Sequence, residues 1–450
     1  MNATAEMFIS SARDLPRRAS DFSHVAPSHD TLVEGYAKLN LPPGSAILLS
    51  APNTVEFLLH WIAVLQNGLV PAAIAPSAKQ SFVESACSSL RIAAISGQNS
   101  MQFGAGKRES AMIGSFRTTV LQRDLAPYDP FDVLVLTTGT SGSQSACVHR
   151  LDSLIRNAAM TNRTLGITAS DKQLVVLPLY HSFGLITQSI GAIISGGELL
   201  IDGPPFNAER FASLIRHAGI SVCGVTPTIA RDLIMRKTGL ESLRSLSVGG
   251  DQMSAPDVQS LLDDLHVKEL YITYGLTEAG PRISVLPAHC SPRETFDSVG
   301  KVFPEIQAKI DRPDSEGVGQ LLVKTPSALR RKVGVDSIDQ PFDDEGFLLT
   351  GDLFTKDDAG YLRFVARSRE IVVVSGEKVN TRYVTQVIEQ EPSVAFARTR
   401  LSEDGNLVSL LWAREGRELD LQVIHRALRK TLRSHEIPIL REQTTKIFHK

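Results

Sequence analysis

Along most of the chain, short runs of β-branched and aliphatic residues alternate with longer stretches in which apolar positions recur at helical spacing. SAILLS (45–50) reads as a strand, and residues 55–66 as the helix after it. VPAAIA, from Val70, reads as a second strand, followed by a helix over residues 82–90. DVLVLTT from Asp132 and QLVVLPL from Gln173 predict strands entered or left through polar turns. SVCGVTP from Ser221, SLSVGG from Ser245 and ELYITYG from Glu269 are apolar runs that end in Gly, Pro or a small polar residue. Strands alternating with helices imply mostly parallel, covered sheets, in which ligands gather at the carboxyl ends of the strands.

From about Ser298 the pattern changes. GKVFPEIQAKI, GQLLVKT and GYLRFVA predict shorter antiparallel strands divided by Pro, Asp and Gly turns. Beyond Arg367 come an apolar IVVV, a helical stretch over residues 382–389, two more strand candidates and a last helix over residues 420–433. A complete small α+β unit fits there, so a boundary is expected between residues 366 and 370.

Length and composition narrow the class. A chain of 450 residues exceeds one ordinary core, and 42% hydrophobic with 21% charged residues is the profile of a globular protein. A formal net charge of −2 gives no reason to expect a nucleic acid or anionic membrane as partner. Cys87, Cys147, Cys223 and Cys290 form no C-x-x-C pair, which argues against a zinc site or disulfide framework and fits a reducing compartment. The first residues lack the continuous apolar core of a signal peptide. The two most apolar stretches, 56–75 and 185–201, carry Glu56, His60, Gln66, Gln188 and Glu198, so they read as buried helix and strand rather than membrane spans. The expected location is cytoplasmic.

Three local patterns carry candidate chemistry. TTGTSGSQS, 137–145, follows a predicted strand directly. Its glycines let the main chain approach phosphate closely, and its N–H and hydroxyl groups donate without adding charge. It lacks the G-K-[ST] ending of a P-loop, and GAGKRES from Gly104 fails the same pattern. YGLTE, 274–278, offers a flat aromatic for a purine, a hydroxyl for phosphate and a carboxylate for Mg2+. TGD, 350–352, ends in a carboxylate able to accept both ribose hydroxyls. Each alone is also an ordinary polar turn.

The ordered set is more specific. TTGTSGSQS, PLYHSFG from Pro178, GGDQMS from Gly249, YGLTE, TGD, ARSREIVVVSGEKV from Ala366 and a lysine near the end together resemble the adenylate-forming superfamily of acyl- and aryl-CoA synthetases, luciferases and peptide-synthetase adenylation domains. The resemblance runs from about His29 to Lys450. It implies an α/β fold: a large multi-subdomain N-terminal domain (1–368) with mostly parallel sheets plus a β-barrel-like part, and a small, mobile α+β C-terminal domain (369–450). It implies ATP and Mg2+ as cofactors, a small carboxylic acid as substrate, and CoA or the phosphopantetheine of an acyl carrier protein as acceptor.

By similarity, Thr137, Thr138, Gly139, Thr140, Ser141 and Gly142 would cradle the pyrophosphate end of ATP. Tyr274 would stack on adenine, Thr277 contact the α-phosphate and Glu278 bind Mg2+. Asp352 would hold the ribose hydroxyls with Arg367 nearby, and Gly249 and Gly250 would line the cleft where adenine and acyl group meet. Lys446, in TTKIFHK, corresponds to the family lysine that bridges the attacking carboxylate and the phosphate, where an ammonium offsets the repulsion of two anions. Glu370 takes the place of the family's hinge aspartate. His181 matches the gate beside the carboxylate, the alternative being a hydrogen-bonded core histidine. Tyr180 and His181 stand where amino-acid-activating members carry a Phe-Asp pair, which disfavours an α-amino acid. The acid pocket would draw on Tyr180, His181, the segment near Thr226, residues 249–252 and Thr273.

Three positions depart from the family pattern. Gln144, Ser145 and Ala146 replace Pro-Lys-Gly, removing a positive charge from the phosphate loop; Ala366 and Thr445 replace glycines. The expected activity is AMP-forming acid–thiol ligation of an aryl or alkyl acid. The alternative is a catalytically degenerate adenylate-forming fold that acts as a binding protein. A penicillin-recognising serine hydrolase, suggested by SGEK at 375–378 and KTG at Lys237, has its motifs in reversed order and lacks S-D-N between them.

Overall fold

A computed structural model describes residues 3–21, 26–98, 109–138, 144–334, 341–374, 376–402, 404–414 and 416–443. Its contacts divide the chain into two compact units. The first comprises residues 1–309, 322–350 and 356–363; the second comprises 310–321, 351–355 and 364–450.

The first unit holds two eight-stranded sheets. One runs in the order Arg331–Gly334, Gln144–Arg150, Asp132–Thr138, Val70–Ile74, Ala46–Ser50, Ile92–Gly97, Phe116–Val120, Ser110–Ile113. Its centre is parallel: Ala46–Ser50 pairs in parallel with both Val70–Ile74 and Ile92–Gly97, and Val70–Ile74 with Asp132–Thr138. These central strands read as unbroken apolar runs because both faces are covered. The helix Val55–Gln66 is buried from Phe57 to Leu65 and starts on Thr54, whose hydroxyl accepts from the Phe57 amide at 3.0 Å.

The flanks are antiparallel, which the alternating pattern did not foretell. Asp132–Thr138 pairs antiparallel with Gln144–Arg150, so the next described element after it is a second strand. The helix Leu151–Thr164 begins only after that second strand.

The second sheet runs Ala19–Ser20, Glu198–Ile201, Lys172–Val175, Val222–Val225, Ser245–Gly249, Glu269–Gly275, Arg282–Pro287, Lys301–Val302. It is parallel as far as Glu269–Gly275, and the last two strands return antiparallel. The apolar stretch from Leu185 resolves into a π-helical segment, Phe183–Ile190, a short helix, Gly191–Ser195, and the strand Glu198–Ile201. Among the described residues no helix is long and apolar enough to cross a membrane, and all four cysteines are free.

A four-stranded sheet is ordered Gln307–Asp311, Gly319–Lys324, Leu348–Lys356, Leu362–Arg367. Farther along the second unit, the hairpin Ile371–Val374/Glu377–Asn380 leads into a three-stranded sheet, Val394–Leu401, Leu407–Ala413 and Ile439–Glu442. Helices Thr381–Glu389 and Leu421–Leu428, capped by Asn380 and Asp420, bury Val384, Ile388, Ile424 and Leu428 in a core with Val394 and Leu411.

Candidate active site

Two parallel strands end beside each other at Gly249 and Gly275. Gly249 closes Ser245–Gly249 and pairs with Thr273. Tyr274 and Gly275 close Glu269–Gly275, where the register to the next strand slips. A side chain could not be added at Gly249: its Cβ would lie 2.3 Å from Thr273 Oγ1 and 2.7 Å from Arg282 Nη1. Gly250 has φ +96° with open space around its Cα, a turn that favours glycine. These positions lie at strand carboxyl ends, where ligands of open α/β sheets collect.

Thr277 and Glu278 follow in a short 3-10 turn, Thr277–Ala279. The turn is fastened from two directions. His149 Nε2 donates to the Thr277 carbonyl at 2.9 Å, and the Leu329 amide donates to the Glu278 carbonyl at 2.8 Å. The first bond requires the Nε2–H tautomer. Burial pushes the His149 pKa down to about 4, so the ring is neutral near pH 7. The Thr277 hydroxyl lies 3.5 Å from that of Ser182, which follows His181. His181 has its ring centroid 4.6 Å from that of Tyr180; the residue keeps an exposed surface, while burial of its ring lowers its pKa.

The Glu278 carboxylate is not solitary. Lys332 Nζ lies 2.6 Å from its Oε1, with side-chain exposures of 17% and 19%. Lys332 belongs to Arg331–Gly334, which pairs antiparallel with Gln144–Arg150 so that Lys332 opposes Cys147 and Gly334 opposes Ser145. Ser145 in turn opposes Thr137, with the two hydroxyls 2.9 Å apart. Opposed residues share a face, as do positions two apart, so Lys332, Cys147, Ser145 and Thr137 all lie on one face. Burial and then the Glu278 carboxylate push the Cys147 thiol well above its ordinary pKa, while Lys332 pulls it the other way. A cation from another strand therefore stands on the face that Ser145 and Thr137 occupy. No motif pointed to Lys332 or His149.

In the second unit, Asp352 is 5% exposed, and Arg367 Nε lies 3.5 Å from its Oδ1. Gly351, at φ +71°, sets the backbone just before the carboxylate. The Glu370 carboxylate accepts from the Arg367 amide at 3.1 Å. Gly139, Thr140, Ser141, Gly142 and Lys446 lie outside the described residues, as does the Thr138 side chain.

The sequence profile of AMP-binding enzymes matches residues 34–331. The chain belongs to this family. A long-chain-fatty-acid–CoA ligase of Escherichia coli O6:H1 is 28% identical over 352 residues, 74% of this chain and 61% of the relative. A 2-succinylbenzoate–CoA ligase of Staphylococcus aureus is 26% identical over 273 residues, 60% of this chain and 54% of the relative. The chain thus spans less than two thirds of the length of these relatives. Solved structures share the fold over far more of their length. The o-succinylbenzoate CoA synthetase of Bacillus subtilis, in complex with an acyl-adenylate intermediate, superposes with TM-score 0.82 at 18% identity, covering 97% of this chain and 94% of that one. ATP-bound MatB of Rhodopseudomonas palustris gives TM-score 0.77 at 17% identity, covering 100% and 96%. The adenylate-forming resemblance and the α/β fold class are borne out for this AMP-binding enzyme.

Proposed function

We propose that this AMP-binding enzyme activates an aryl or alkyl carboxylic acid with ATP and transfers the acyl group to the thiol of CoA or of a carrier protein's phosphopantetheine, in the cytoplasm. The observation that carries the reading is the cluster of Thr277, Glu278 and Lys332 on the hairpin face that bears Thr137 and Ser145. It combines hydroxyl donors, a carboxylate and a cation, the groups a nucleotide triphosphate requires. The CoA ligases among its relatives support the same chemistry.

In the first step a carboxylate oxygen attacks the α-phosphorus, and the bond from that phosphorus to the bridging oxygen breaks to release pyrophosphate. In the second, the thiolate attacks the acyl carbon and the C–O bond to AMP breaks. Thr277 orients the α-phosphate, Asp352 holds the ribose hydroxyls with Arg367 beside it, and Tyr274 covers the adenine. Lys446, carried by the mobile domain 369–450, screens the two anions as they approach. Lys332 supplies the positive charge that Gln144, Ser145 and Ala146 leave out of the loop.

A magnesium ion that arrives with ATP takes most of its ligands from phosphate and water, so one carboxylate, Glu278, is a fitting protein contribution. Among the described residues no larger group of candidate metal ligands competes with it. Bound there, the ion would neutralise phosphate charge.

ATP–pyrophosphate exchange against a panel of aryl, short-chain, long-chain and amino acids tests the reading, with Lys446→Ala as control. Exchange with one non-amino acid class, lost in the control, is the expected result. No exchange with any acid, despite ATP binding, would identify a degenerate binding protein instead.

A further inference from the structure

Arg282 opens the strand Arg282–Pro287 and is buried, with 4% of its surface exposed. Its backbone is clamped by Asn157, whose Oδ1 accepts from the Arg282 amide and whose Nδ2 donates to the Arg282 carbonyl, each at 3.0 Å. The guanidinium carbon lies 4.0 Å over the ring centre of Phe183. One terminal nitrogen, Nη1, donates to Thr273 Oγ1. The other two donors, Nε and Nη2, are buried without a partner among the described residues.

Nε and Nη2 form one edge of the guanidinium, the side-by-side pair of donors that grips a carboxylate with two parallel bonds. Among the described residues no carboxylate of the protein forms an ion pair with Arg282. Removing an arginine from water without a counter-charge is costly, and burial alone pushes its pKa down to about 9. A buried donor edge with no partner among the described residues requires an explanation, and an anionic ligand supplies one.

The surroundings are those of the expected acid pocket. Arg282 touches Thr273 and borders Gly249, where a side chain would strike Nη1. A second glycine, Gly224, leaves its Cα bare beside Phe183 and Ser247; a Cβ there would come within 2.9 Å of each. Gln188 donates to the Gly224 carbonyl at 3.0 Å. Phe183 and Gln188 both lie in the π-helical segment, a type of irregularity frequent at functional sites.

We propose that the Nε–Nη2 edge of Arg282 holds a second carboxylate of the substrate, so that the acid activated by this enzyme is a dicarboxylic acid, adenylated on the carboxylate farther from Arg282. The inference rests on the adenylation reading and narrows its substrate class.

The experiment compares diacids with their half-esters and with monoacids of equal chain length, in ATP–pyrophosphate exchange, for the wild type, Arg282→Met and Arg282→Lys. The wild type is expected to favour the diacid by about 100-fold in kcat/KM, as befits a buried charge pair. Arg282→Met is expected to lose that preference through KM, with its ATP affinity unchanged. Because the substitution removes an uncompensated buried charge, it should melt no lower than the wild type in the absence of acid. If Arg282→Met does not fold, Arg282→Lys and the thermal shift of the wild type with diacid against half-ester decide the matter, the diacid giving the larger shift. Equal use of diacids and monoacids by the wild type, or an undiminished preference in the variants, would overturn the proposal and leave adenylation standing. A lower melting temperature with unchanged selectivity would assign Arg282 to the fold. Failure of the wild type to exchange with any acid would overturn the adenylation reading and this inference together.

Discussion

Replacing Lys332 by methionine removes the ammonium while keeping most of the volume of its stem. In the free protein the pair with Glu278 lies between two regimes: exposed ion pairs contribute about 0.2–1 kcal/mol, whereas breaking a fully buried one costs about 3–5. Side-chain exposures of 17% and 19% place it between them, so Lys332→Met is expected to lose about 2 kcal/mol of stability. The effect on ATP follows from the same geometry. A cation 4 Å from a phosphate charge gains about 4 kcal/mol at the effective dielectric of a partly buried site. Desolvation and the opposing charge of Glu278 remove about half of that, leaving about 2 kcal/mol, or roughly 30-fold in Kd. AMP lacks the β- and γ-phosphates and should change by less than about threefold. Titration calorimetry with ATP and AMP at fixed Mg2+ measures both. Returning a lysine to the hairpin with Ser145→Lys in the Lys332→Met background should recover most of the ATP affinity, since positions 145 and 332 lie on the same face. An unchanged ATP affinity, or a loss shared equally by AMP, would refute this role. A gain in ATP affinity would show that Lys332 competes with the metal for Glu278.

Two further expectations concern other parts of the site. Asp352→Asn should weaken adenosine, AMP and ATP alike by about 10- to 100-fold, the worth of hydrogen bonds to a charged acceptor. A loss confined to ATP would contradict its ribose role. His149 titrates at about 4 when folded against an ordinary 6.5, so between those values the unfolded chain takes up a proton that the folded chain refuses. Stability is therefore lost as pH falls from about 6.5 towards 4, by about 3 kcal/mol from this group, and is independent of it above 6.5. Urea midpoints of His149→Gln should fall less steeply between pH 7 and 4.5 than those of the wild type, and an equal slope would reject the assignment.

Local periodicity was enough to locate much of the framework. The helix Val55–Gln66 and the strands Asp132–Thr138 and Glu269–Gly275 fall where the apolar pattern puts them. An apolar run between turn residues has few other ways to bury itself, so the elements of a parallel core are written in neighbouring residues. The candidate residues at strand ends were legible for a related reason. Gly249 and Tyr274 end apolar runs that read as strands, and Gly250 follows in a turn whose positive φ favours glycine.

What the sequence could not convey is which side chains face one another across distant segments. Lys332 follows Glu278 by 54 positions and sits in a run of cations, SALRRK, that reads as a solvated surface. Only the pairing of Arg331–Gly334 with Gln144–Arg150 turns it towards the carboxylate. Nothing in the sequence around Arg282 reveals that Phe183, Thr273 and Gly249 lie against it, or that two of its donors have no partner among the described residues. The chain's own pattern thus determined the α/β framework, the ordered motifs and the loss of the loop lysine. The tertiary structure decided which carboxylate Lys332 faces and where Arg282 is buried, because charge balance and desolvation depend on distances between segments that strand pairing alone brings together.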